Sequence, residues 1–450
     1  VNNILPVLIS RTLIAFQQAL KRQGIILTGN IFKPITSVSP NPIVEKLEKY
    51  INETSQTPQQ QVGLVIDDET IKTDVAKLLV FLNEACAEFK IERITFFFDE
   101  ACQVFRPTQQ RIFFDYFRAL RTYSICCKAA VYPGIVTYGT FQKFHDATVV
   151  RVERSIAESN YISNMRQLVR NHYPNDYAIF EHSGELLDAL IYASSGNPRF
   201  LLKSLNQIIS FGGKFNTQNF NSVMKEFYST SIWSEHTKLS EMYQGHKEMI
   251  NWSRNFIEDK VLAEIEKINK NVESKNTVYF CISRNAPEVI KQSIKTLEYS
   301  GVVMLHTEGT KYRTEMYDRY ELNLGIVVLY EKQTVIQKRI REIVADLSIK
   351  VFPNYGKNSV AYGDYSQLID LSSFEADAEE IVSTIMDKKI SDLDISSSLQ
   401  IRLSGQGFTT IGNVLNSTEA DLQKVPYIGP VRSRKISNVV YNSILEYISG

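Results

Sequence analysis

Apolar residues in the first ninety positions fall at helical spacing at Leu13, Phe16 and Leu20, then close up into Ile25-Ile26-Leu27, which predicts a helix followed by a buried strand. Pro34, Pro40, Pro42 and Pro58, with the glutamines Gln59 to Gln61, predict an irregular connection. Helical spacing returns at Val75, Leu78, Leu79, Phe81 and Leu82. From there the pattern alternates: helix 74–90, strand 93–98, helix 107–121, strand 124–131 and a third strand at 148–152. Continuous apolar strands separated by helices predict a parallel sheet covered on both faces, an α/β core.

Helical periodicity dominates from about 155 to 270. A short strand (277–282), an amphipathic helix (286–299) and a hairpin around Gly309 follow. The stretch 353–373, rich in Gly, Ser, Asn, Asp and Tyr and weakly periodic, predicts a linker, and 389–450 predicts a last compact unit.

A chain of 450 residues has room for about three domains. Its 50 basic residues balance 50 acidic ones, so contact with nucleic acid has to come from local patches and not from a global field. No apolar run approaches the roughly 18 residues of a membrane helix, and Val1-Asn2-Asn3 opens no signal peptide. The expectation is a cytoplasmic protein without a membrane partner. Five scattered cysteines without C-x-x-C point to thiols in a reducing compartment, with Cys126-Cys127 in a buried strand. Six histidines without H-E-x-x-H, and no G-x-S-x-G, exclude the commonest zinc and serine hydrolase patterns.

The candidate chemistry starts at Ile94-Thr95-Phe96-Phe97-Phe98-Asp99-Glu100, an apolar strand ending in two acids. Ligands of open α/β sheets bind at the carboxyl ends of strands. There a first carboxylate can hold the water shell of Mg²⁺ and a second can polarise water toward a γ-phosphate. The same pair also suits a helix N-terminus through the helix dipole. Two further stretches accompany it: the strand from Ser124 to Val131 with Tyr132-Pro133-Gly134 beyond it, and Ser195-Gly196-Asn197-Pro198-Arg199, where Asn197 predicts a helix cap and Pro198 the first helical position.

In this order the three pieces resemble the Walker B pair, sensor-1 strand and sensor-2 turn of P-loop ATPases of the AAA+ and STAND kind, especially the origin-recognition-like branch. The resemblance implies ATP and Mg²⁺ as cofactors, Asp99 as the Mg²⁺ acid acting through water, Glu100 as the residue that orients the attacking water, and Arg199 as the γ-phosphate sensor. The phosphate cradle G-x-x-x-x-G-K-[ST] occurs nowhere in the chain. The first residue is Val1 and not Met, and the cradle is expected in preceding chain, or it has been lost.

The run from Thr277 to Leu324 resembles the winged helix that follows the lid in origin-recognition-like ATPases. That likeness implies a recognition helix presenting Lys291 and Lys295, and a wing bearing Lys311 and Arg313 toward DNA phosphates. Residues 392–436 resemble the C-terminal domain of the alpha chain of RNA polymerase and related helix-hairpin-helix units along Asp392-Leu393, Leu403, Ile411-Gly412, Thr418-Glu419, Leu422 and Pro426-Tyr427-Ile428-Gly429. Here Gly429 is expected to make the tight turn and leave amides open to a phosphate, with Arg432, Arg434 and Lys435 adding charge. The family's groove-reading arginine aligns with Ser398, and Arg402 lies one turn later, so promoter-type recognition is not implied.

The expected order is therefore an α/β ATPase core (1–154), helical lid (155–250), winged helix (251–335), connector (336–388) and helix-hairpin-helix domain (389–450). Double-stranded DNA is the expected partner, with a homo-oligomer or a partner protein beside it. A STAND-like signalling or defence ATPase that oligomerises on a trigger, and a nucleotide-free adaptor, remain as alternatives.

Overall fold

Ile9, Leu13, Phe16 and Leu20 form one stripe of the first helix, and their burial is what gathers the N-terminal elements. The computed structural model describes residues 4–29, 61–66, 71, 74–102, 107–134, 136–271, 273–312, 314–365, 368 and 385–448. The irregular connection expected over 34–58 lies outside the described residues, as does Arg313. The chain divides into two units, 1–132 with 136–149, and 133–135 with 150–450.

The first unit contains α1 (Ile4–Arg22), β1 (Ile26–Gly29), β2 (Gln61–Ile66), α2 (Val75–Glu88), β3 (Ile94–Phe98), α3 (Pro107–Ala119) and β4 (Ile125–Ala129). Its core joins the α1 stripe to Leu78, Phe81 and Leu82 of α2 and to Ile94, Phe96 and Ile125 of the strands. Buried hydroxyls add direction: Tyr116 Oη donates to Thr12 Oγ1 at 2.7 Å, which ties α3 to α1. β1 pairs with β2 and β3 with β4, both in parallel, the second pair in register from Ile94↔Ile125 to Phe98↔Ala129.

Two expectations for this unit change. Among the described residues the strands form two separate pairs, and the third strand expected at 148–152 has no ladder partner, with Val150 80% and Val152 72% exposed where the second unit begins. A β-branched run favours extended backbone, but only a neighbouring edge makes it a strand. The expected cover of both faces is also incomplete: Phe97 is 75% exposed, with Lys128 Nζ 5.5 Å from its ring centre, while Thr95 and Cys126 on the same face are half-buried.

The second unit begins with helices: α4 (Tyr161–His172), α5 (Gly184–Ala193), α6 (Pro198–Ser210), α7 (Ile232–Met242), α8 (Lys247–Phe256) and α9 (Leu262–Asn269). A sheet unit follows, made of β5 (Tyr279–Ser283), α10 (Glu288–Tyr299), β6 (Val303–Tyr312), β7 (Glu315–Leu322), α11 (Leu324–Tyr330), α12 (Ile336–Ala345) and β8 (Asn354–Tyr355). The sheet order is β6-β7-β5-β8, with antiparallel pairs except for β5 and β8. The C-terminal elements are α13 (Ser397–Ser404), α14 (Ile411–Leu415), α15 (Glu419–Leu422) and α16 (Pro430–Ile448).

The expected lid, winged helix and connector share one hydrophobic core, from Ile156 through Leu190, Phe280, Leu297 and Ile340 to Tyr362. The residues 389–448 have their own, built on Ile390, Leu403, Ile411, Leu422 and Ile436. A buried polar knot locks the first core: Arg339 Nε donates to Glu331 at 2.5 Å, Asn269 Nδ2 donates to Glu331 and to Thr277 O, each at 3.1 Å, and Thr277 N–H returns to Asn269 at 2.8 Å. The stretch 353–362 is packed and is no linker. Tyr355 and Tyr362 are each 2% exposed, and Tyr362 O accepts from the Trp252 indole at 3.2 Å.

Glu321 on β7 is buried and accepts from Ser155 Oγ at 2.8 Å, which fastens the segment before α4 to the sheet. Burial raises its carboxyl to about 7, and burial with the neighbouring Glu153 raises Glu298 to about 7 as well. Both carboxyls ordinarily titrate near 4.5. The folded chain therefore keeps protons that the unfolded chain releases between those values, and stability falls as pH rises through that window. Glu321→Gln is expected to flatten the decline of unfolding free energy between pH 5 and 7 in urea titrations, by at most about 3 kcal/mol. A decline identical to that of the parent chain would exclude Glu321 as its source.

Candidate nucleotide and nucleic-acid surfaces

Asp99 and Glu100 leave the carboxyl end of β3 side by side and exposed. Asp99 Oδ1 accepts the N–H of Glu100 at 2.9 Å, and Glu100 takes φ 53°, a left-handed conformation in which a non-glycine residue is strained. One carboxylate oxygen of Asp99 is thus used locally, and two exposed acids side by side make a donor set that suits at most an outer, water-mediated contact with a cation and not a cage. Burial pushes the thiol of Cys127, on the neighbouring strand, up to about 12, which disfavours the reactive thiolate, and its side chain packs partly buried against the core.

Arg199 belongs to the second unit, in the first turn of α6. The predicted cap is present: Asn197 Oδ1 accepts from Arg199 N at 3.0 Å and Phe200 N at 3.3 Å, with Pro198 at the first helical position. Gly196 has φ +72°, and a Cβ there would stand 1.7 Å from Arg154 O, so only glycine fits this corner. Ser195 Oγ accepts from Leu324 N at 2.7 Å, which joins the corner to α11, and Arg199 itself is exposed.

The lysines expected on a recognition helix are elsewhere than on an open face. No residue of α10 is exposed, because the helix is enclosed by α8, β6 and α16. Lys291 Nζ is paired with Glu288 at 2.6 Å and only 26% of its side chain is exposed, while Lys295 is half-buried. Lys311 is exposed near the end of β6. The hairpin closes beyond the pair Tyr312↔Glu315, and Gly309 (φ +69°) serves a bulge where the register shifts between Thr307 and Thr310.

At the C-terminal hairpin the left-handed residue is Tyr427 (φ 68°), whereas Gly429 is not in that region. The conformational freedom expected of Gly429 is thus required two residues earlier. Gly429 is nonetheless exposed, with nothing within 4 Å of the point where a Cβ would stand, at the foot of α16. Arg432 and Lys435 are exposed, one turn apart on α16. Arg434 faces the other way: it pairs with Glu419 and donates to Asn285 O at 3.1 Å, Lys357 O at 3.0 Å and Asn358 Oδ1 at 2.8 Å. Its side chain is 13% exposed, so its role here is a joint between the C-terminal helices and the sheet unit, and not a phosphate contact. Asn438 Oδ1, accepting from Glu288 N at 3.1 Å, is the second pin of that joint.

One buried histidine escaped the pattern reading. His236 Nδ1 lies 2.9 Å from Ser300 Oγ and Nε2 lies 3.0 Å from Ser253 Oγ. The pairing looks like a base with a nucleophile, but His236 is 0% exposed, burial lowers it to about 4, and Ser253 Oγ donates to Ile250 O at 2.8 Å. It is a packing network joining α7, α8 and the end of α10. Among the described residues no helix is long and apolar enough to cross a membrane, and no group of three or more His, Cys, Asp and Glu side chains is arranged to hold a metal. Set against protein-family models, curated proteins and solved structures, the chain matches none of them.

If Arg434 is the joint, Arg434→Ala lowers unfolding free energy by about 2 kcal/mol, the value of charge-assisted bonds lost from a half-buried site. Lys435→Ala is expected to stay within about 0.5 kcal/mol, as surface changes do, and Arg432→Ala, which loses one exposed bond to Tyr427 O, within about 1 kcal/mol. Denaturant titration of the three variants checks this, and equal effects at all three positions would remove the distinction.

Proposed function

We propose that this chain is a cytoplasmic DNA-binding protein of the AAA+, origin-recognition-like kind, in which ATP with Mg²⁺ governs how the C-terminal hairpin engages duplex DNA. The carrying observation is the cationic rim of that hairpin. Arg402, Arg432 and Lys435 are exposed, and among the described residues none of them lies in a salt bridge. The nearby acids have other partners, Asp421 with Lys424 at 2.7 Å and Glu419 with Arg434. In a chain of zero net charge, such a rim beside an open helix N-terminus suits phosphates of a nucleic-acid backbone, which fix position without reading sequence. Asp99 would hold a water of Mg²⁺, Glu100 would orient the attacking water, and Arg199 would sense the γ-phosphate. ATP would supply the energy of a conformational change. The alternative is a nucleotide-free adaptor whose α/β unit is scaffold.

Reversing Arg432 and Lys435 to Glu is expected to weaken duplex binding similarly across unrelated sequences and to flatten the dependence of log K on log salt. Unchanged affinity in fluorescence anisotropy would take the hairpin out of DNA binding. For the nucleotide half, Glu100→Gln in the full-length protein should retain ATP binding and lose most turnover. Absence of ATP binding by the parent protein would select the adaptor.

A further inference from the structure

Tyr427 combines three properties that a hairpin residue chosen for folding alone does not need. It is a bulky residue held at φ 68°, a conformation in which the Cβ of an L-residue crowds the following carbonyl. It is 74% exposed, so burial returns nothing for that strain. Its position is fixed from two sides: the Arg402 guanidinium lies over the ring, 4.3 Å from its centre, and Arg432 Nη1 donates to its carbonyl at 2.6 Å. Ile401 (73% exposed) and Val431 (79% exposed) stand beside these two arginines in sequence, and Lys435 lies one turn beyond Arg432.

We propose that Tyr427 and Arg402 form a stacking platform for an unpaired base of DNA, with Arg432 and Lys435 gripping the flanking phosphates. The inference rests on the DNA reading above and refines which DNA the hairpin takes. Every base presents a π-face, so an aromatic ring backed by a guanidinium binds bases without sequence preference, and each stacked base raises affinity about 5- to 100-fold. The same ring lies among uncompensated cations, which favours a polyanion over an apolar peptide or a second copy of this net-neutral chain. Double-helical DNA keeps its base faces stacked inside, so the platform adds affinity only where a strand is open.

The test uses the full chain and three labelled oligonucleotides in fluorescence anisotropy at fixed salt: a thymidine 20-mer, a 20-base-pair duplex and that duplex with a short single-stranded gap. The expected result is that Tyr427→Gly weakens the thymidine and gapped ligands about 5- to 100-fold, and changes intact-duplex affinity less than about twofold. Tyr427→Phe should bind like the parent. Because glycine relieves the left-handed strain, Tyr427→Gly should melt at the same or a higher temperature, which separates lost binding from lost folding. Equal losses on all three ligands, or none, would overturn the platform. So would sedimentation showing self-association that Tyr427→Gly abolishes, which would give the surface to a second copy. A parent chain that binds duplex but not open strands defeats this inference alone, whereas one that binds no DNA defeats the DNA reading with it.

Discussion

Enclosure of α10 is the constraint from which the second unit takes its form. Val289, Ile290, Ile294 and Leu297 are all 0% exposed, and no other position of the helix is open to solvent beyond a half-buried level. A helix surrounded in this way has to be met by α8 on one side, by β6 on another and by α16 on a third. The helices after residue 155 and the sheet after 277 thus share one hydrophobic core, with Ile156 and Leu297 in the same cluster. The C-terminal helices keep their own core but are mounted on this one through Arg434 and Asn438. Those bonds tie the C-terminal helices to the sheet unit.

Much of this was legible from residue pattern. The alternation from α2 to β4 follows from continuous apolar strands between amphipathic helices, and the corner at Asn197-Pro198 follows from capping chemistry that acts within four residues. Pattern fails where the decisive partner is distant in sequence. Residues 148–152 have the composition of a strand, yet a strand exists only with an edge to pair with. Tyr355 and Tyr362 look like linker residues until Trp252 and Phe256 close over them, the ring of Phe256 lying 4.9 Å from that of Tyr355.

The basic trio on α16 could have been divided from sequence alone. At 100° per residue, Arg432 and Lys435 share a helix face while Arg434 points nearly opposite to Arg432. The structure follows that geometry: the shared face is exposed and Arg434 meets Glu419 and two backbone carbonyls. Three cations adjacent in sequence thus do two different jobs, and a patch of local charge survives in a chain whose acids and bases cancel. What was not legible is the exchange of roles between Gly429 and Tyr427. Only the path of the hairpin decides which residue turns left-handed, and a glycine in the motif draws attention to the wrong position.

Backbone strain sharpens the contrast between the two ends of the chain. Five described non-glycine residues have positive φ: Lys90, Glu100, Ser195, Lys332 and Tyr427. Lys90, Ser195 and Lys332 follow helices whose last carbonyls they help to satisfy, with N–H bonds to Ala87 O, Tyr192 O and Leu329 O, so helix termination accounts for them. Glu100 and Tyr427 end no such helix and are both exposed, so neither burial nor helix capping offsets their cost, and Tyr427 is held instead by Arg402 on its ring and Arg432 on its carbonyl. One carries a carboxylate at the carboxyl end of a parallel strand pair, and the other an aromatic ring beneath a guanidinium at a cationic rim. Backbone strain of this kind costs on the order of 1–3 kcal/mol and persists only where surrounding contacts over-determine it. The two residues share an exposed position and a left-handed backbone, in different units and with different chemistry.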